Sequence, residues 1–242
     1  TGLDKTVFYK IIDTIQNKKV LVSGSWSLQR QQYGEQPHWM IVVLAAMIGQ
    51  IGQPGGGFGL GYSAENGIGN PVKHFKWPAL NQFKNQIKDF IPVARYSDML
   101  LNPGKNFTFN GQTYQYPNIK LVYWAGGNPF HHQMNLSKLR KATFKPDTII
   151  TNEIWWNSLA RHADIIFPTT TTLERNDIGF RHWEQTVSPM HKAIDPIANS
   201  KNDFDIFSLI SEKLGFKKQF TENKNEEEWL KTLWDEAKES AR

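Results

Sequence analysis

From residue 118 onward the chain alternates short apolar runs with segments of helical spacing, and this alternation restricts the fold more than any other feature. Residues 118–125, 147–151 and 164–167 read as strands, residues 126–132 as a turn, and residues 133–141 and 153–161 as helices. An earlier unit follows the same grammar. VLVSG at residues 20–24 reads as a buried strand, and residues 38–52 as a helix entered through Pro37 and left through Gly52. Strands joined through helices run parallel, so the pattern predicts an α/β fold built on an open, mostly parallel sheet.

Between the two series the sequence is less regular. Residues 53–69 contain PGGGFGLG and are predicted to be loop, because glycine at that density loses too much backbone entropy in a helix or strand. No Lys-Ser/Thr pair follows, so this is not a phosphate-binding P-loop. Residues 78–90 and 96–101 read as helices, and residues 107–116 as a hairpin whose alternating aromatics flank Asn110-Gly111. Helices over 203–214, closed by Gly215, and over 226–238 end the chain.

Composition excludes several classes. The 242 residues include no cysteine, which removes disulfides, thiolate metal ligands and iron–sulfur ligation within this stretch. The longest apolar run, residues 39–48, falls well short of the ~20 residues a spanning helix needs, so no membrane span is expected. The net charge of +5 is spread along the chain. Its densest group, Lys138, Arg140, Lys141 and Lys145, reads as a solvated helix face rather than a nucleic-acid stripe. The first residue is Thr, and no secretory leader precedes it, so the chain is expected to begin inside a longer protein or after processing.

In an open α/β sheet, ligands sit beyond the carboxyl ends of the strands. Three segments hold that position. Past the first strand come Trp26, Ser27 and Arg30. The guanidinium can fork onto a phosphate and the indole can offer an apolar wall, while a core Trp26 and a surface ion pair for Arg30 explain the same residues. Gly126-Gly127-Asn128-Pro129 is a strand-to-helix turn that lets backbone N–H groups close on a diphosphate, with His132 as a donor or a simple cap. No G-x-G-x-x-G follows the strand, which argues against a nicotinamide site. Asn152 and Glu153 close the next strand. Glu153 suits ribose hydroxyls, and the plainer alternative has Asn152 capping a helix whose dipole Glu153 favours. Further on, Arg175 follows four threonines, and Asp205 sits in the first turn of a helix, where an acid is ordinary. No G-x-S-x-G elbow occurs. The adjacent pairs His131-His132 and Arg161-His162 diverge on regular structure, so no metal clamp is expected.

The run LARHADIIFPTTTTLERNDI (residues 159–178), with WAGGNPFHHQ (124–133) and GSWSLQRQQYGEQPHW (24–39), resembles the molybdopterin oxidoreductases. The matching branch is that of the dimethyl sulfoxide (DMSO), trimethylamine N-oxide (TMAO), biotin sulfoxide and methionine sulfoxide reductases. The resemblance extends over about residues 20–215. It implies a Rossmann-like open, mostly parallel sheet with helices on both faces. Residues 1–60 would be the last βα portion of one dinucleotide-binding α/β domain, and residues 61–242 a second Rossmann-like α/β domain. It implies a Mo-bis(molybdopterin guanine dinucleotide) cofactor, with Trp26, Ser27 and Arg30 near the pterin. Asn128, His132, Asn152, Glu153, Arg175 and Asp205 would lie along the guanine-dinucleotide arm. Family members often carry Asp where this chain has Glu153. The implied reaction is reduction of an S-oxide or N-oxide by oxygen-atom transfer, in the periplasm or, alternatively, the cytoplasm. The implied electron donor is a redox protein such as a c-type cytochrome. The resemblance puts the metal-ligating serine upstream of this chain, so no residue here is singled out as catalytic or as a metal ligand, and the chain by itself is expected to be inactive. The competing class is a non-catalytic α/β module that binds a guanine nucleotide.

Overall fold

The computed structural model describes residues 2–60, 77–87, 90–180 and 187–240. The chain divides into two compact units, Thr1–Lys73 and His74–Arg242.

In the first unit, α1 (Lys5–Ile15) opens behind Asp4, whose carboxylate accepts the Thr6 N–H at 2.7 Å. The sequence reading passed over this helix, although Asp4 followed by Val7, Ile11, Ile12 and Ile15 carries its cap and its period. Next come β1 (Leu21–Gly24), a 3-10 turn at Trp26–Gln29, α2 (Glu35–Met47) and β2 (Gly57–Leu60). Strands β1 and β2 pair in parallel, Leu21 opposite Gly57 and Gly24 opposite Leu60, with α2 packed against both. The unit is therefore βαβ. Residues 57–60, expected to be loop, are strand, because the ladder to β1 supplies backbone hydrogen bonds that offset the glycines' entropy. Residues 61–69 of that expected loop lie outside the described residues.

The second unit begins with a correction. Residues 77–87 form no helix; residues 88 and 89 of the expected 78–90 helix lie outside the described residues. Asn81 and Asn85 turn their side-chain oxygens onto the N–H groups of Phe83 and Ile87, at 3.0 and 2.9 Å, and so compete with the helical ladder. Helix α3 (Tyr96–Leu101) and the hairpin β3 (Asn106–Phe109)–β4 (Gln112–Gln115) fall where they were predicted. Asn110 and Gly111 at the hairpin tip have φ of 48° and 76°, the left-handed pair that a tight two-residue turn requires.

The central sheet follows. Its parts are β5 (Leu121–Ala125), α4 (Pro129–His132), α5 (Leu136–Thr143), β6 (Thr148–Glu153), a 3-10 turn at Ala160–His162 and β7 (Ile165–Pro168). The three strands are parallel in the order β5-β6-β7, with Ala125 opposite Asn152 and Asn152 opposite Phe167. The α/β class therefore holds, with two differences in the connections. The helix expected over 133–141 starts at Leu136, because Asn135 at φ 54° accepts the Lys138 N–H at 3.1 Å and caps it there. The helix expected over 153–161 is absent. Strand β6 runs through Glu153, whose Oε1 accepts the N–H groups of Ile154 and Trp155, while Asn157 Oδ1 accepts that of Ala160. Leu139 and Ala142 on α5, Ile149 on β6, and Leu159 and Ala160 in the connector form the dry core of this layer. Asp164 Oδ2 accepts the Ile149 N–H at 2.7 Å and locks the start of β7 to β6.

A second antiparallel pair, β8 (Asp177–Phe180) and β9 (Val187–Met190), precedes α6 (Asp203–Lys213), α7 (Lys217–Thr221) and α8 (Glu226–Ser240). The Lys201 N–H donates to the Pro168 carbonyl and the Thr170 N–H to the Lys201 carbonyl, each at 3.1 Å, which seats the start of α6 beside the end of β7. Among the described residues no helix is long and apolar enough to cross a membrane.

Candidate functional site at the strand ends

The parallel register brings the carboxyl ends of β5, β6 and β7 side by side, and the residues just past each end line one cavity of about 620 Å³. β5 contributes Gly126, Gly127, Asn128 and His132; β6 contributes Asn152, Glu153 and Trp155; the segment after β7 contributes Thr169, Thr170 and Arg175. Asp203 completes the wall from the first turn of α6.

Each group is held by chemistry legible in the chain. Gly126 and Gly127 take φ of 78° and 76°, and a Cβ built on either meets no atom within 4 Å. Backbone conformation, not crowding, demands glycine here, and the space above the turn is open. Asn128 Oδ1 accepts the Phe130 N–H at 3.0 Å and caps α4, which leaves its Nδ2 amide without a partner among the described residues. Helix α4 is a single turn, so its dipole is small, and the glycine backbone is the stronger anion-binding element. Asn152 does not cap a helix. Its Oδ1 accepts the Tyr123 hydroxyl at 2.8 Å and its Nδ2 donates to Asp203 at 2.7 Å, tying β5, β6 and α6 together beneath the cavity. Burial, then the Asp203 carboxylate, pushes the Tyr123 hydroxyl up, so it remains a donor.

The threonine run is sorted by burial. Thr171 and Glu174 form a capping box, with Glu174 Oε2 accepting the Thr171 N–H and hydroxyl at 2.7 and 2.8 Å. Glu174 Oε1 accepts the Ile197 N–H at 2.7 Å, so one carboxylate fixes the loop after β7 to the approach of α6. Thr169 and Thr170, by contrast, carry buried hydroxyls with no partner among the described residues, and both residues line the cavity. Arg175 donates to Asp177 Oδ2 from Nε at 3.1 Å and to the Thr170 carbonyl from Nη1 at 3.2 Å. A guanidinium has five N–H donors, so three remain for a ligand.

The Thr171 and Ile197 N–H groups, then the Thr171 hydroxyl, hold the Glu174 carboxyl below its ordinary 4.5. A depressed pKa gives stability that is complete above 4.5 and is lost as pH falls through the folded value. Glu174→Gln is therefore expected to lower the unfolding midpoint at neutral pH by about 2–4 °C. The gap should close in acid, where the native carboxyl is also neutral. Thermal unfolding of both proteins across the acid range checks this, and a gap unchanged in strong acid would contradict it.

The cavity gathers Asn128, His132, Asn152, Glu153 and Arg175 from among the sequence-derived candidates. Asp205 opens instead onto a neighbouring cavity lined also by Lys201, Phe204 and Lys224. Trp26, Ser27 and Arg30 follow β1 in the other unit. Ser25 Oγ accepts the Ser27 N–H at 3.3 Å, Trp26 is 39% exposed, and Arg30 forms no ion pair with a described residue. Sequence reasoning missed Asp203, Thr169, Thr170 and Trp155 as cavity residues. The sequence shows four consecutive threonines, and only the folded structure separates the paired from the unpaired hydroxyls.

Comparison with known proteins agrees with this architecture. The family model for molybdopterin oxidoreductase matches residues 5–213. Biotin sulfoxide reductase from Cereibacter sphaeroides is 43% identical over 241 residues, covering all of this chain and 32% of that protein. Trimethylamine-N-oxide reductase from Haemophilus influenzae is 44% identical over 254 residues, covering all of this chain and 31% of its own. A dimethyl sulfoxide/trimethylamine N-oxide reductase from Cereibacter sphaeroides is 43% identical over 92% of this chain and 29% of its own. The chain thus spans about a third of the length of these relatives. With a match of that extent, the chain belongs to the molybdopterin oxidoreductase family, which uses a molybdenum–pterin cofactor.

Proposed function

We propose that this chain is the molybdopterin guanine dinucleotide-binding region of a molybdenum oxidoreductase that reduces S-oxides or N-oxides by oxygen-atom transfer. The observation that carries the reading is the meeting of three parallel strand ends around one polar cavity, whose wall includes the Gly126–Gly127 turn, Asn128, His132 and Arg175. A wall of glycine backbone, a side-chain amide, imidazole and a guanidinium calls for a polar, anionic ligand. A guanosine diphosphate arm fits that demand. The Gly126–Gly127 backbone, the Asn128 amide, His132 and the three remaining Arg175 donors suit the phosphates. Glu153 retains Oε2 for a ribose hydroxyl.

Trp26, Ser27 and Arg30, at the carboxyl end of β1, are assigned to the pterin side of the bis form of the cofactor. The cofactor, when bound, supplies the two-electron chemistry, and the residues of this chain position it. Electrons come from a redox partner such as a c-type cytochrome. The periplasm is the proposed compartment, with the cytoplasm as the alternative.

Guanine presents N1–H and an exocyclic amine on one edge, and a carboxylate pairs with both. The first turn of α6 supplies two acids, and Asp203 is the one on this cavity. Asp203→Ala is accordingly expected to lower bound guanine nucleotide by about tenfold, and Asp205→Ala by less. Nucleotide released by acid from each purified variant measures this; the reverse order would return the role to Asp205.

The function itself is tested on the protein purified from its source. Molybdenum, acid-released guanine nucleotide, and dye-linked reduction of DMSO, TMAO, biotin sulfoxide and methionine sulfoxide are measured together. The expected result is molybdenum-dependent reduction of at least one oxide. A protein that binds GDP yet contains no molybdenum and reduces none of them would be a nucleotide-binding module instead.

A further inference from the structure

The cavity at the strand ends is polar nearly all round. Glycine backbone, Asn128, two histidines, threonine hydroxyls, Arg175 and two acids make up most of its wall. Among the described residues only Ile154 and Trp155 interrupt this with large apolar side chains, and they stand together just past β6. The backbone there is pinned. Glu153 Oε1 accepts the N–H groups of Ile154 at 3.0 Å and Trp155 at 3.4 Å, and the Trp155 carbonyl accepts the Asn157 N–H at 2.8 Å. The indole itself has no ring partner among the described residues and is 71% exposed. Tryptophans 77 and 229 of the same unit, by contrast, are buried, in ring contact with Phe180 and beneath Lys224 respectively.

A nucleotide asks for two kinds of wall: donors for its phosphates and a flat apolar surface for its base. We infer that Trp155 is the base-stacking platform of this cavity, a positioning residue against which the purine face of the bound nucleotide lies. The inference rests on the proposed dinucleotide reading of the cavity and deepens it. Stacking draws on the π-face that every base possesses, so Trp155 supplies affinity and orientation rather than base identity. The pinned turn makes this inexpensive, because the main chain carrying the indole is already ordered before the ligand arrives.

The test uses the full-length protein made in cells that produce no molybdopterin, titrated calorimetrically with GDP and separately with pyrophosphate. Trp155→Ala should weaken GDP binding about tenfold or more and leave pyrophosphate binding unchanged. Trp155→Phe, which keeps a ring, should restore most of the GDP affinity. Trp156→Ala is the control, since Trp156 is 67% exposed and does not line the cavity, and it should bind GDP like the native protein. GDP affinity unchanged in Trp155→Ala would overturn the stacking role while leaving the dinucleotide reading in place. Equal weakening of GDP and pyrophosphate would also overturn it, because a general disturbance of the loop would then be the cause. Failure of the native protein to bind either probe would overturn the dinucleotide reading and the stacking role with it.

Discussion

Gly127→Val is expected to empty the strand-end cavity of nucleotide while leaving a folded protein. At φ 76° a side chain at this position is strained, which costs about 1–2 kcal/mol. A Cβ there meets nothing within 4 Å, so the chain itself has room for it. The valine methyls would instead occupy the open space over the turn, where the diphosphate is proposed to approach. Losing two charge-assisted N–H contacts there weakens binding on the order of a hundredfold. Gly127→Ala has the same backbone strain with less bulk, so it should show the stability loss with a smaller binding defect. Guanine nucleotide and molybdenum per protein, measured beside urea unfolding, separate the two effects. Native nucleotide content in the valine variant would show that the turn does not face the ligand.

The second large effect is expected at Arg175, which joins the loop after β7 to the cavity. Arg175→Ala removes the ion pair to Asp177 and the bond to the Thr170 carbonyl. It also removes a positive charge felt by Glu226, whose carboxyl is already pushed up by burial and then by Asp205. Arg175 opposes that rise, so without it Glu226 moves further up, with Asp205, Asp177 and Glu227 acting on it unopposed. Each lost hydrogen bond to a charged group is worth about 1.5–3 kcal/mol, so nucleotide retention should fall roughly ten- to a hundredfold and the unfolding midpoint should drop as well. Arg175→Lys should fall between, because it keeps the charge but not the planar fork. Full nucleotide content in the alanine variant would remove Arg175 from the site.

How far the sequence reveals this molecule depends on the range of the forces at each position. Where the deciding interactions are local, the reading and the structure agree. Asn110-Gly111 dictates a tight turn, and the aromatics on either side do pack, with Phe107 stacked on Tyr116 at 4.4 Å. The three parallel strands are legible because each opens on a short apolar or β-branched run bounded by turn residues. Distant partners defeated the reading at residues 57–60. Their glycines suggest loop, and only β1, across the whole of α2, makes them strand. Competition within the chain defeated it at residues 77–87 and 154–161, where the side chains of Asn81, Asn85, Glu153 and Asn157 capture N–H groups that a helix would have used. The candidate site divides in the same way. Gly126, Gly127, Asn128 and Glu153 are found from their places after strands. Asp203, Thr169 and Thr170 are distinguished from Asp205 and Thr171 only by which way the folded chain turns them.

The central claim is that the ends of β5, β6 and β7 together hold the dinucleotide arm. Amide hydrogen exchange of the full-length protein with and without its cofactor measures this most directly, because it reports each loop separately. The account predicts that residues 126–132, 153–157 and 169–175 all gain protection when the cofactor is present. Protection confined to other segments, with these three loops exchanging as in the cofactor-free protein, would contradict it.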